Sequence, residues 1–473
     1  MPEPTDRQNI KVQSENTVLA AVRLPNSVFD ERDPFGELRE LAKQAGATVV
    51  GEIEQRRERP ESGSYMGRGK IQELRELCIA LDADTVIFDH ELSPKQIATI
   101  EKVVGRKILD RSELILDIFA GRATTHEAKL QVELAQLEYT YPRLRSMWSH
   151  LERLAGGSAG GVGTRGPGEQ QLEIDRRLVQ RRKSILQEEL ADIQQRKRRA
   201  VRERNVDNDT VGLVGYTNAG KSTLFNTLTE GGAYADDRLF ATLTTRTRRW
   251  DLGGGVGCML SDTVGFVREL PHHLVASFRA TLEEAMHADL LIVVLDVSDP
   301  SVELHHETVM RTLDELFEEV EERENADPET PDYDRPELVT VLNKADLLDD
   351  NRDILYWQSR VPGSIPLCAL PAEENGPDRP GQEELLRRVR NHVVGPIREL
   401  DLSVPMKNAK LIDIIERRCE VLDRRYEGDR AILRASVGSR QIGRLRSGNP
   451  DLVVLTPEGE IVERETTRAG WRR

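Results

Sequence analysis

The octapeptide GYTNAGKS, Gly215 to Ser222, constrains this chain more than any other feature. It fits the pattern GxxxxGK[ST], follows the strand-like run TVGLV and opens a helical pattern. Glycines at these places let backbone amides turn inward around phosphate oxygens, while the helix amino terminus adds partial positive charge. The loop residues Gly215, Tyr216, Thr217, Asn218, Ala219 and Gly220, with Thr223 behind them, are therefore candidate nucleotide contacts. Lys221 is placed to reach the β- and γ-phosphates, and the Ser222 hydroxyl to ligate Mg²⁺. A strand feeding such a loop implies a doubly wound α/β fold with a parallel sheet flanked by helices.

Two further motifs follow in the order such a fold requires. DTVG, Asp262 to Gly265, begins 41 residues after Lys221 at the end of a strand-like run. There Asp262 can hold Mg²⁺ through water, and the Gly265 amide can sense a γ-phosphate. NKAD begins 81 residues later and supplies Asn343, Lys344 and Asp346. A carboxylate such as Asp346 accepts hydrogen bonds from the N1–H and exocyclic amine of guanine, a donor pair that adenine lacks. GTP and GDP are thus the expected substrate and product. The run LCAL places Cys368 and Ala369 where backbone amides could meet the guanine oxygen, although a plain strand end fits the same residues.

Between the first two motifs lies FATLTTRTRR, beginning at Phe240. A switch threonine that completes the Mg²⁺ shell is expected here. Thr242, Thr244, Thr245 and Thr247 are the candidates, and each also suits a β-strand. The residue after DTVG is Phe266, which cannot orient water as a glutamine does. Lys221, Thr242 and Gly265 are left to carry the chemistry, which is expected to be slow until a partner completes the site. The other reading of Phe266 is a side chain that only packs the switch.

Composition limits the partners. Hydrophobic residues are 38% and charged residues 32% of the 473, a balance that fits a soluble protein. The longest apolar run, LLIVVLDV from Leu290, falls far short of the roughly 20 residues of a membrane span. The polar start of the chain has no signal-like apolar core, and the dispersed Cys78, Cys258, Cys368 and Cys419 form no disulfide or metal pattern. A cytoplasmic protein is expected. The net charge of −15 speaks against a polyanionic partner, but the segment Arg176–Arg204 carries eleven basic residues against four acids. At a Debye length near 8 Å a partner feels that patch rather than the distant total.

The chain reads as four parts. Residues 1–120 alternate strands and helices as a small parallel α/β domain. In 121–207, Leu130, Leu134, Leu137, Tyr141, Leu144, Trp148 and Leu151 form a heptad seam, with Pro142 expected to kink or break its helix. A second, basic helix follows the glycine-rich loop 156–169, so an antiparallel hairpin is expected. Residues 208–399 hold the nucleotide motifs, and 400–473 form a small α/β appendage. An intramolecular hairpin accounts for the heptad seam, so a monomer is the simpler expectation.

Several of these segments together resemble the HflX-type GTPases. They are MGRGK (Met66 to Lys70), VIFDHELSPKQ (Val86 to Gln96), the run beginning LDRSELILDIFAGRATTHEAKL at Leu109, the loop GTRGPGEQQLEIDRR, and the nucleotide motifs. The resemblance spans nearly the whole chain. It implies a GTPase that binds the large ribosomal subunit and, in some members, splits stalled or idle ribosomes under stress. The hairpin would then meet ribosomal RNA, with Arg165, Arg176, Arg177, Arg181, Arg182 and Lys183 as candidate phosphate contacts. By position, Thr242 is the switch threonine. The chain departs from the family pattern at Thr244 and Thr245, in place of Asp-Pro, at Gln170 in place of Thr, and at Cys368 in place of Ser. The family also includes members reported to use ATP through the amino-terminal domain. GRGK (Gly67 to Lys70) is the segment that could touch such a phosphate, or it could be an ordinary turn before a helix. A nucleotide-switched docking module with little turnover and an ATP-driven RNA-remodelling protein are the competing readings.

Overall fold

The computed structural model describes residues 15–25, 29–155, 177–193, 195–196, 209–229, 245–253, 256–268, 285–325, 333–370, 381–447 and 449–462, with the backbone alone over 142–155. The glycine-rich loop 156–169, Arg165, Arg176, Thr242 and Thr244 lie outside the described residues. The chain forms two compact units, the first built on residues up to Ile193.

The first unit alternates β1 (Asn16–Arg23), α1 (Gly36–Gln44), β2 (Thr48–Arg56), α2 (Arg68–Ala80), β3 (Thr85–Phe88), α3 (Pro94–Val104), β4 (Lys107–Asp110) and α4 (Arg111–Arg122). Its sheet has the order β2-β1-β3-β4 with every pairing parallel. Helices cover both faces, so β1 is buried along Val18–Val22 and carries a continuous apolar run rather than an alternating one. Helix α3 shows why a polar sequence starts where it does. Ser93 and Gln96 form a capping box, Pro94 occupies the first turn, and Gly105 closes the helix in the left-handed region.

Helix α5 (His126–Ala155) follows, and its backbone runs unbroken through Pro142. The expected break does not occur: the proline deletes one hydrogen-bond donor from a helix of 30 residues, and the turns on either side hold. A second helix, α6, covers 177–193. Leu130 and Leu134 of α5 pack with Leu186 and Leu190 of α6, with Leu137 and Ile193 at the edge of the cluster. His126 meets Glu189, and Arg182 meets Glu133 through two hydrogen bonds of 2.7 and 2.9 Å. Low numbers on one helix thus face high numbers on the other, which makes the pair antiparallel. Tyr139 of α5 donates its hydroxyl to Asp110 Oδ1 at 2.6 Å, and Asp110 also caps α4 through the Glu113 amide. The fourth turn of α5 is thereby tied to the end of β4.

The second unit contains β5 (Thr210–Gly215), α7 (Lys221–Leu228), β6 (Arg246–Asp251), β7 (Gly257–Asp262), β8 (Leu290–Asp296), α8 (Val302–Asn325), β9 (Glu337–Asn343), α9 (Arg352–Arg360), β10 (Ile365–Pro366) and α10 (Gln382–Val394). The sheet order is β10-β9-β8-β5-β7-β6. All pairings are parallel except that of β6, an antiparallel edge strand. The order reverses at β5, so its carboxyl end faces the crevice where open α/β sheets take ligands.

The same unit continues with β11 (Ile397–Pro405), α11 (Ala409–Arg418), β12 (Glu420–Glu427), β13 (Arg430–Gly438), α12 (Ser439–Ser447) and β14 (Val453–Leu455). These strands make a separate antiparallel sheet in the order β12-β13-β11-β14, and α11 and α12 pack into its core. Strand β11 begins at Ile397, ahead of the boundary expected at 400.

Candidate functional site

The crevice at the end of β5 is built by the loop that leaves it. Asn218 and Gly220 hold positive φ angles of 62° and 91°, which turn the chain tightly ahead of α7. A Cβ on Gly220 would lie 2.2 Å from Asn343 Nδ2, so only glycine fits between the loop and the end of β9. Lys221 is buried and folds back over the loop. Its Nζ donates to the carbonyl oxygens of Tyr216 at 2.6 Å and Gly215 at 3.1 Å. Burial pushes its pKa down to about 8, partly opposed by the negative charge of Asp262.

The second motif closes against the first. Ser222 Oγ donates to Asp262 Oδ2 at 2.7 Å. Thr263 holds the strand end by donating its hydroxyl to the Leu213 carbonyl at 2.7 Å. Gly265 lies beside the lysine, since a Cβ there would sit 3.0 Å from Lys221 Nζ and 2.9 Å from Thr217 Cα. Phe266 pairs by its backbone with the loop: its amide donates to Gly215 O at 3.0 Å, and its carbonyl accepts from Thr217 N at 2.7 Å. Phe266 as a whole is 1% exposed. The side chain is buried among its neighbours and offers no hydrogen bond to water.

The third motif is joined to the loop by one side chain. Asn343 Nδ2 donates to Ala219 O at 2.8 Å, and Asn343 Oδ1 accepts from the Ala369 amide at 3.0 Å. That amide is thus committed to Asn343 rather than turned to a base. Lys344, in the left-handed region at φ 58°, pairs with Asp296 Oδ2 at 2.6 Å. Asp346 is exposed in the short turn Ala345–Leu347. Cys368 is buried, and its carbonyl is held by Gln382 Nε2 at 2.9 Å. Thr223 is half-buried in the first turn of α7. The sequence-selected loop, Asp262, Gly265, Asn343 and the 368–369 run thus converge on one crevice.

Several participants escaped the sequence reading. Asp296, Gln382 and Thr227, whose hydroxyl donates to Ala369 O at 2.7 Å, brace the motif residues from distant positions. Of these only Asp296, at the end of an apolar strand, carried a positional signal. Of the remaining threonines, Thr247 meets Ser261 Oγ at 3.1 Å across β6 and β7, in the role of a strand residue.

The donor set suits a hard cation. Ser222 and Asp262 bring a hydroxyl and a carboxylate oxygen together beside the phosphate loop, the sparse all-oxygen arrangement that Mg²⁺ accepts when phosphate completes its shell.

Elsewhere, Arg177 and Arg181 of the hairpin are exposed. Arg182 and Lys183 are engaged across it with Glu133 and Glu138, the latter at 2.9 Å. In the first unit, Gly67 caps α2 and Lys70 pairs with Glu73 at 2.8 Å, so GRGK opens a helix. A buried ion network that the sequence did not disclose lies at the ends of β1 and β3. There Arg23 and Arg111 share Asp89 at 2.9 and 2.7 Å. Among the described residues no helix is long and apolar enough to cross a membrane, and no group of His, Cys, Asp and Glu is arranged to hold a metal by itself.

Known proteins match along most of the sequence. The families described as "GTP-binding GTPase N-terminal", "GTP-binding GTPase Middle Region" and "50S ribosome-binding GTPase" match residues 32–120, 122–204 and 210–344. The GTPase HflX of Lacrimispora saccharolytica is 39% identical over 442 residues, covering 92% of this chain and 96% of its own length. That of Alkalihalophilus pseudofirmus is 46% identical over 65% of this chain and 73% of its own. That of Escherichia coli is 39% identical over 80% of this chain and 84% of its own. Identity at this level across nine tenths of the sequence, on a crevice assembled from the three nucleotide motifs, makes the chain a member of the HflX family of GTP-hydrolysing enzymes.

Proposed function

We propose that the crevice holds GTP with its phosphates on the loop Gly215–Ser222 and its base at Asp346, and that the large ribosomal subunit is the partner that brings hydrolysis to speed. The observation that carries the first half is the double hydrogen bond of Asn343. By holding Ala219 O and Ala369 N at once, it joins the phosphate loop to the segment beside the base.

Within that reading, the loop amides and the amino terminus of α7 bind the phosphates, with Lys221 leaving its carbonyl partners for phosphate oxygens. Ser222 and Thr242 would ligate Mg²⁺, and Asp262 would hold it through water. The chemistry such an ion would supply there is neutralisation of charge developing on the phosphate oxygens. Gly265 offers its amide to the γ-phosphate. Cys368 and Ala369 frame the base, and Asp346 accepts its N1–H and amine. Phe266 supplies no hydrogen bond to water, which supports a slow basal rate and completion by a partner; such completion is worth roughly 10³–10⁵ in rate.

The second half rests on the hairpin. Its basic helix offers Arg177 and Arg181 at the surface. Arg182 and Lys183 would trade Glu133 and Glu138 for RNA phosphates, and Arg165 and Arg176 would add to the same set of phosphate contacts. Acting as a cytoplasmic monomer, the protein would dissociate or rescue stalled or idle ribosomes under stress. The test is the GTP hydrolysis rate with and without purified large subunits at moderate salt. A rise of orders of magnitude supports this reading. Tight nucleotide binding with no rise would favour a docking module that uses the nucleotide only to set its conformation.

A further inference from the structure

We propose that Tyr216 is a positioning residue that sets the preference of this site for a nucleoside triphosphate over a diphosphate, and that His305 holds its ring in place. The inference rests on the reading of Gly265 as the γ-phosphate contact. Among the described residues, hydrogen bonds fasten the stretch after Gly265 to the phosphate loop. Two are backbone bonds, Phe266 N to Gly215 O and Thr217 N to Phe266 O. A third is made by a side chain: Arg268 N donates to the Tyr216 hydroxyl at 2.8 Å.

The surroundings make that third point effective. Tyr216 is 4% exposed and Arg268 6% exposed, so the bond is shielded from water. The Tyr216 ring stacks on His305, near the start of α8, with centroids 3.8 Å apart and planes 15° from parallel. His305 in turn approaches Asp299, with Nδ1 at 3.9 Å from Oδ2. The ring is thus clamped between α8 and the stretch that carries Gly265. Loop amides and Lys221 serve both nucleotides, whereas the Gly265 amide serves only the third phosphate. A looser Gly265 stretch therefore penalises the triphosphate selectively.

Tyr216→Phe keeps the stacked ring and removes the acceptor, so the buried Arg268 amide loses its hydrogen bond to residue 216. A penalty of that kind corresponds to about 5- to 100-fold in an equilibrium constant. The ratio of affinities for a non-hydrolysable GTP analogue and for GDP is expected to fall within that range. His305→Ala, which removes the stacking partner, should lower the same ratio about 2- to 10-fold, and His305→Phe should restore it. Melting curves of each variant check that it is folded, and Lys221→Ala, expected to lose both nucleotides, checks the site. A ratio unchanged in Tyr216→Phe, or an equal loss of both nucleotides, overturns the role of Tyr216 when Lys221→Ala behaves as expected. Retained nucleotide binding in Lys221→Ala would instead overturn the underlying reading of the crevice.

Discussion

Asn343 reaches from the end of β9 to the carbonyl of Ala219, 124 positions earlier in sequence, and holds it at 2.8 Å. The side chain is buried, so the bond forms away from competing water and its loss exposes unpaired groups on both sides. Asn343→Ala removes both of its hydrogen bonds at once. Affinity for GDP and for GTP should each fall by roughly 10- to 100-fold, the scale of a buried donor and acceptor left unmet. Titration with a fluorescent guanine nucleotide measures it. A variant with undiminished affinity would show that the bridge does not shape the crevice.

Asp346 sits exposed on the turn after the bridge, where a base can approach it. Asp346→Asn replaces an acceptor with a donor, which repels the guanine N1–H and suits the carbonyl of xanthine. The expected outcome is a loss of GDP affinity of about 10²-fold or more, with a gain for xanthosine diphosphate. Competition between the two nucleotides on the same variant decides it, and continued guanine preference would remove Asp346 from base recognition.

Lys221 gives the site a pH dependence whose sign follows from its burial. With no nucleotide bound, its pKa lies at about 8, below the usual lysine value. A phosphate beside it stabilises the ammonium, so binding draws a proton onto the protein once the pH exceeds 8. Nucleotide affinity should therefore weaken as pH rises through 8 and onward. Stability of the nucleotide-free protein moves the other way: between about 8 and the unfolded lysine value of 10.5, the unfolded chain binds more protons, and stability rises with pH. Isothermal titration in buffers of differing ionisation enthalpy reports the proton uptake directly. Affinity that does not change between pH 7 and 9 would contradict the assignment.

How much of this was legible in the sequence depends on range. The nucleotide motifs were readable because each is a local backbone geometry that few residue types can form, as Gly220 shows at φ 91° against Asn343. The buried parallel strands were readable as apolar runs, Leu290–Asp296 above all. Strand β6 was hinted at only by Thr247, because Arg246, Arg248 and Arg249 lie exposed on a sheet edge and leave no apolar alternation. Strand β12 failed to register for the same reason. Of the kink or break expected at Pro142, the break does not occur, because the turns on either side keep the helix continuous. The Tyr216–His305 stack and the sharing of Asp89 by Arg23 and Arg111 join residues far apart in sequence, so no local pattern announces them.

In the last domain a buried carboxylate is matched to two cations. Asp401 on β11 accepts from Arg434 Nε at 2.8 Å on the adjacent strand β13 and from Arg425 Nη2 at 2.7 Å on β12, one strand further along the same sheet. The Arg434 hydrogen bond, ahead of the charges of Arg434 and Arg425, holds its carboxyl below the usual aspartate value of 3.8. A depressed folded pKa means stability that is complete above the unfolded value and is lost as pH falls below 3.8 toward the folded one. Asp401→Asn deletes that acid-sensitive contribution and leaves two partly exposed arginines without their carboxylate. A loss of about 1–2 kcal/mol at pH 7 is expected, less than for a fully buried pair because both guanidinium groups still reach water. Because the bond lies outside the nucleotide crevice, GDP affinity of the folded variant should stay at the wild-type level. Denaturant melts at pH 7 and near pH 3 separate the cases, since the gap between wild type and variant should narrow in acid. A gap of constant size would assign the loss to packing rather than to charge.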